Sequence, residues 1–146
     1  MTELHTRLAT SADAERIYAI NRGALDYDFP LESTRERLEK VLSTPGNRVG
    51  VACDESGRVI GYIHCVDYEN LYSASLKNIM ALAVDPARQG SGAGRLLLGF
   101  AEDWARACGC EGVRLVSGFD RVKAHQFYQH CGYTLRKEEK NFIKRW

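Results

Sequence analysis

Gln89-Gly90-Ser91-Gly92-Ala93-Gly94 is the segment of this chain whose residue types best fit a chemical task. It lies between an apolar run, Lys77 to Val84, and a long amphipathic stretch. The first turn of a helix leaves backbone N–H groups without partners, and the helix dipole adds partial positive charge there. Glycines let the chain curl and let an anion approach the backbone closely. Phosphate suits that geometry, and Arg88 and Arg95 stand at its edges. A plain strand-to-helix turn accounts for the same glycines, so the segment alone leaves both readings open.

Two familiar phosphate motifs do not fit. A Walker loop needs Gly-Lys-Ser/Thr, whereas Gly94 is followed by Arg95-Leu96. The dinucleotide fingerprint needs Gly-x-Gly-x-x-Gly near the start of a fold, whereas Gly90, Gly92 and Gly94 alternate and come late.

Tyr128 is the second candidate. A phenol, with an ordinary pKa of about 10, can act as a proton donor. Tyr128 also shares a helical face with Ala124, Phe127 and Cys131, which equally describes a core tyrosine. A general base is not assigned. Asp67, Glu69 and His64 have suitable chemistry, but each also fits an ordinary loop or strand position. Acids stand beside aromatics twice, in Asp26-Tyr27-Asp28-Phe29 and in the segment holding Asp67, Tyr68, Glu69 and Tyr72. Such pairings suit a cationic amine through ion pairing and cation–π contact, and suit solvated loops as well.

Other clusters carry less. Cys108, Cys110, His130 and Cys131 lack zinc-ligand spacing, so no metal site is expected. His125 fits a structural helix position or the edge of a ligand. Arg35 to Lys40 is a solvated helix face, and Lys137-Glu138-Glu139-Lys140 is a solvated turn.

Elements must position these residues. Leu4 to Leu8 reads as a strand. Thr10 or Ser11 caps a helix carrying Ile17, Ile20 and Ala24. A second helix, roughly Ser33 to Leu42, turns Leu38, Val41 and Leu42 inward. A hairpin follows, Val49 to Cys53 and Val59 to Val66, around Asp54-Glu55-Ser56-Gly57. Lys77 to Val84 reads as a buried strand. Gly92 to Cys108 is a helix with Leu97, Phe100, Ala101, Trp104, Ala105 and Cys108 on one face. Val113 to Ser117 is a strand and Lys123 to Cys131 a helix. Tyr133 to Arg136 and Asn141 to Lys144 form a final strand pair. The order implies an α/β or α+β sheet, with parallel neighbours in the second half.

Composition sets the outer bounds. The 146 residues are 45% hydrophobic and 27% charged, with a formal net charge of +1. That balance gives no global field for nucleic acid or an anionic membrane. No run of about 18 apolar residues exists, so no membrane span is expected. The first residues lack the regions of a signal peptide, and the five cysteines form no framework. A cytoplasmic location with reduced thiols is the expectation.

With these residues in place, the chain resembles the GNAT superfamily of N-acetyltransferases. Gln89 to Gly94 is similar to its Gln/Arg-x-x-Gly-x-Gly/Ala signature. Ala124-His125-Gln126-Phe127-Tyr128-Gln129-His130-Cys131-Gly132-Tyr133 is similar to its Ala-x-x-Phe-Tyr-x-x-x-Gly-Phe/Tyr segment. The likeness is good from about Arg48 to Tyr133. It implies a single domain over residues 1–146, with a mixed central sheet of about six to seven strands and about four helices. It implies that the buried strand splays from its neighbour, and that backbone groups of Leu82, Ala83 and Val84 pair with the pantetheine arm of acetyl-CoA. It implies that Gln89, Gly90, Ser91, Gly92, Ala93, Gly94 and Arg95 hold the diphosphate, and that Tyr128 is the acid beside the CoA sulfur. Many relatives carry a Glu on the strand before the loop; Lys77 to Leu82 has no carboxylate. The activity implied is acetyl transfer to the amine of a small cationic acceptor, with a homodimer plausible by analogy. A non-catalytic acyl-CoA binding domain and a protein or peptide acetyltransferase are the rival readings.

Overall fold

Strand pairing follows chain order. The computed structural model, which describes residues 3–146, sets β1 (His5–Leu8), β2 (Asn47–Cys53), β3 (Val59–Tyr68), β4 (Leu76–Val84) and β5 (Gly112–Leu115) side by side in that order. The first three junctions are antiparallel and β4–β5 is parallel. A parallel junction needs a crossover, which α3 (Ala93–Ala107) supplies. All of this lies in a unit ending at Val116, and Ser117–Trp146 is a second compact unit.

Two helices cover one sheet face, α1 (Ala14–Leu25) and α2 (Leu31–Ser43). Asp13 fixes the entry to α1. Its carboxylate accepts the Thr10 N–H at 2.8 Å and two N–H groups of Arg7 on β1 at 2.9 Å each. Ile17, Ile20 and Leu38 then pack on Val49, Val51, Tyr62 and Ala83. The other face belongs to α3, which buries Leu97, Leu98, Ala101 and Ala105. Gly50 lies under it because Phe100 fills the space of a β-carbon, which would sit 2.6 Å from the ring.

Several expectations need correction. The sheet has five strands, not six to seven. No strand forms among the described residues after Gly132, and Leu135, Phe142 and Ile143 are exposed. Two isolated strands are marginal without a third to pair with. Among the described residues, the parallel neighbours expected in the second half reduce to the β4–β5 pair. Leu42 is exposed rather than inward, and Cys108 is exposed at the end of α3. Phe100 and Trp104 are not fully buried, and Trp104 instead lies against two cations. The Lys77 ammonium is 4.0 Å and the Arg48 guanidinium 5.3 Å from its ring centre. Four α-helices are present, as expected, the fourth being α4 (Val122–His130) in the second unit.

Two buried acids make the core sensitive to alkali. Burial pushes the Cys65 thiol from 9.0 up to about 12, partly opposed by Arg48 and Lys77. Burial likewise pushes the Tyr62 phenol from 10.0 up to about 12, opposed by its hydrogen bond to Asn21. Above pH 9 the unfolded chain loses the thiol proton that the folded chain keeps, so stability falls as pH rises through 9 to 12. Urea-unfolding midpoints measured from pH 7 to 11 should fall from pH 9 upward. In Cys65→Ala the fall should begin about one unit higher, where Tyr62 takes over.

Candidate active site

Backbone accounting locates the opening in the sheet. β4 runs to Val84, but β5 pairs with it only at Leu76, Lys77, Asn78 and Ile79. Beyond Ile79, the β4 edge turned from β3 has no strand partner among the described residues. The parting begins at a bulge. His64 of β3 faces Ala81 and Cys65 faces Ile79, so Met80 is the extra residue. A bulge bends its strand and increases local twist, which carries β4 away from β5. Unpaired strand backbone readily accepts an extended chain.

Leu82, Ala83 and Val84 lie on this open stretch, and it leads to the glycine loop. A short 3-10 turn at Pro86–Arg88 comes first, capped by the Asp85 carboxylate on the Ala87 N–H at 3.0 Å. Gly90 and Gly92 then take φ of +81° and +93°, and a β-carbon on either would meet nothing within 4 Å. Side chains strain in that region of φ, which is why glycine stands at both positions. Ala93 opens α3. Ser91 N–H is bonded to Arg88 O, and Ala93 N–H to Ser91 Oγ. The N–H groups of Gly90, Gly92 and Gly94 have no acceptor among the described residues. Open donors, absent side chains and a helix N-terminus together make the arrangement expected of a phosphate cradle.

Arg88 does not serve the cradle as the sequence suggested. It pairs with the Asp54 carboxylate at 3.0 Å. Asp54 also accepts from Ser56 Oγ at 2.7 Å, and these bonds hold its carboxyl well below the usual carboxylate range. Three residues before Arg88, Asp85 pairs with Arg16 of α1 at 2.9 Å, and Arg16 donates to Val59 O at 2.9 Å. The loop is thus braced from the β2–β3 turn and from α1. Arg95 is exposed and lines one end of a groove of about 580 Å³ between α3 and the β1–β2 side, with Gly92, Trp104 and Arg48.

Tyr128 belongs to α4. Its ring lies 5.5 Å from that of Phe127 and 6.1 Å from that of Tyr133. Burial raises its pKa from 10.0, with Arg121 pulling the other way. The phenol therefore keeps its proton at neutral pH, as a proton donor must.

Two of the acids proposed beside the acceptor are already engaged. Asp67 holds the Lys77 ammonium at 2.6 Å, and the Glu69 carboxylate accepts the Ser75 hydroxyl. His64 is held below its usual pKa by burial and by Arg37, so its imidazole is neutral at pH 7. One ring nitrogen bonds Asn47 Oδ1 at 2.8 Å. Sequence reading missed Asn78 and Arg114. Arg114 donates to Asn78 Oδ1 at 2.6 Å, and its guanidinium lies 4.2 Å from the Tyr68 ring centre. A visible signal existed: Arg114 is the polar residue of an apolar strand run, and Asn78 follows Lys77 at the start of another. The described residues hold no cluster of three or more potential metal ligands, and no helix there is long and apolar enough to cross a membrane.

An open strand edge that ends in a glycine cradle is the geometry of a known fold, and comparison with known proteins agrees. Residues 14–133 match the acetyltransferase (GNAT) family. The chain belongs to that family. It is 33% identical over 132 residues to an aminoglycoside N(6')-acetyltransferase type 1 of Stenotrophomonas maltophilia, covering 87% of this chain and 84% of the relative. It is 30% identical over 128 residues to an aminoalkylphosphonate N-acetyltransferase of Salmonella typhimurium, covering 87% and 82%. The solved structure of the aminoglycoside N-acetyltransferase AAC(6')-Iy in complex with CoA superposes with a TM-score of 0.86. That match covers 100% of this chain and 97% of the other, and at 15% identity it speaks for the fold. The protein is an acyltransferase.

If the Asp54–Arg88 and Arg16–Asp85 pairs brace the cradle, Asp54→Asn should speed amide exchange across residues 88–94 and lower the midpoint of thermal unfolding. Unchanged protection of those amides in hydrogen exchange would show that the loop holds itself.

Proposed function

We propose that residues 1–146 act as one N-acetyltransferase domain, moving the acetyl group of acetyl-CoA to the primary amine of a small polar acceptor. The observation that carries this reading is the continuity of the free β4 edge with the Gln89–Gly94 cradle. From Met80 to Val84 is five residues, or about 17 Å of strand, a span suited to a pantetheine arm. On this reading the backbone of Leu82, Ala83 and Val84 pairs with the amides of that arm. Gln89, Gly90, Ser91, Gly92, Ala93, Gly94 and Arg95 take the diphosphate. The family match from residue 14 to 133 supports treating the chain as one domain.

The reaction needs a neutral amine. Its lone pair attacks the thioester carbonyl carbon, a C–N bond forms and the C–S bond breaks. The nitrogen loses one proton and the departing sulfur gains one, giving the amide and free CoA thiol. Tyr128 is proposed as the donor to that sulfur, supported by a phenol that burial keeps protonated. With Asp67 and Glu69 engaged elsewhere, attraction for an ammonium acceptor rests on Asp26 and Asp28 between α1 and α2. The two named relatives act on aminoglycosides and aminoalkylphosphonates, which share a primary amine on a small polar molecule.

Release of CoA thiol from acetyl-CoA, followed with a panel of polyamines, aminoglycosides, amino acids and peptides, tests the reading. A small amine should support turnover. Tyr128→Phe should lower kcat by about a hundredfold with little change in the KM for acetyl-CoA. Full turnover in that variant would remove the assigned role. Gly92→Val, which forces a branched side chain to φ of +93°, should sharply weaken CoA binding in a calorimetric titration.

A further inference from the structure

On the face of the sheet that carries α1 and α2, the Arg114 guanidinium has no carboxylate partner among the described residues. Asn78 and Arg114 are directly opposite across the β4–β5 junction, one residue before the strands part. Tyr68 lies diagonally across β4 on the same face, and Arg114 stacks on its ring at 4.2 Å. Nη1 of Arg114 is spent on Asn78 Oδ1 at 2.6 Å. Its Nε is buried from solvent and has no hydrogen-bond partner. No carboxylate pairs with this guanidinium among the described residues. His64, two residues before Val66 on that face, is neutral, and Asn47 beside it is an amide.

Buried donors in native proteins are nearly always paired, and a desolvated charge without a partner is costly. The Nε–Nη2 edge of an arginine is a fork matched to two oxygens of a carboxylate or phosphonate. With Nη1 fixed by Asn78 and the plane fixed by Tyr68, that fork is pre-oriented. Its position matters as much. If an acyl-CoA arm lies along β4 from the cradle, its thioester reaches the point where β4 and β5 rejoin, beside Ile79 and Leu115. Arg114 is the neighbouring residue.

We propose that Arg114 is a specificity-determining residue, binding an oxyanion carried by the acceptor itself, so that the acceptor is a small molecule with both a primary amine and a carboxylate or phosphonate. This rests on the N-acetyltransferase reading of the same site and narrows its acceptor class. The positive charge of the acceptor is then confined to its amine. Asn78 and Tyr68 fix the plane of the guanidinium, and its buried Nε is the donor still without a partner.

The test compares matched acceptors, reading thiol release from acetyl-CoA. 2-Aminoethylphosphonate and 3-aminopropanoate each carry the oxyanion; ethanolamine and propylamine do not. The acid-bearing pair should give the higher kcat/KM, and whichever of the two is preferred identifies phosphonate or carboxylate as the natural group. Arg114→Gln should raise the KM for that acceptor by about ten- to a hundredfold, leaving the KM for acetyl-CoA unchanged. Arg114→Lys should recover part of the loss. Equal or better use of ethanolamine, propylamine, a polyamine or an aminoglycoside by the unaltered enzyme would overturn the proposal, whatever the variants do. An equal loss for all acceptors in Arg114→Gln would also overturn it. Transfer to amines without preference for an acid leaves the N-acetyltransferase reading intact. Failure to transfer to any amine would sink both.

Discussion

Everything in this fold turns on one break in hydrogen bonding, the parting of β4 from β5 after Ile79. A parallel pair normally continues as long as both strands last, because each abandoned N–H and C=O loses a partner. Here Met80 is inserted as a bulge against β3 just past the last β4–β5 pair, and β5 itself ends at Leu115, so the ladder stops after four residue pairs. The stretch from Ala81 to Val84 stays anchored on its other side to β3, so it remains an ordered strand with one free edge. That is a binding surface made from backbone alone. Through the short 3-10 turn at Pro86–Arg88 it leads into a loop whose amides are open because Gly90 and Gly92 occupy positive φ.

Ordered open backbone has to be held by something else. The loop is held by charges from distant parts of the chain, Arg16 to Asp85 and Asp54 to Arg88, 69 and 34 residues apart. These pairs spend two of the charged groups nearest the cradle on position rather than on ligand. The division of labour is economical in physical terms. Backbone dipoles and N–H groups take the anion, and side-chain ion pairs fix where those groups point.

A similar division runs across the two sheet faces. The α3 face carries Lys77, buried beneath Trp104 and paired with Asp67, with Arg48 on the same indole. The α1–α2 face carries Asn47, His64, Asn78 and Arg114 near the end of the opening, with no acid balancing the guanidinium among the described residues. An acetyltransferase without a carboxylate on β4 has to obtain its neutral amine by other means. A cationic field on that face favours the unprotonated form of a nearby amine.

The local architecture was legible in the sequence. Isoleucines at helical spacing marked α1, the hairpin showed in Asp54-Glu55-Ser56-Gly57, and Gly90-Ser91-Gly92 marked the cradle, because each depends on residues close together in the chain. Helix faces were read less well: Leu42 and Cys108 fit the period yet lie exposed at helix ends, where no sheet remains to cover them. The last strand pair was expected from alternation in Tyr133 to Lys144, but alternation records a tendency, and a strand forms only where a partner edge receives it. What the sequence by itself determined was therefore the inventory: a glycine cradle at a helix start, a tyrosine in a helical motif, and the family that joins them. Tertiary structure alone decided that Arg88 is spent on Asp54, that Asp67 is spent on Lys77, and that Arg114 stands uncompensated beside Asn78. Charges pair across space, and chain separation carries no record of which partner lies within 3 Å.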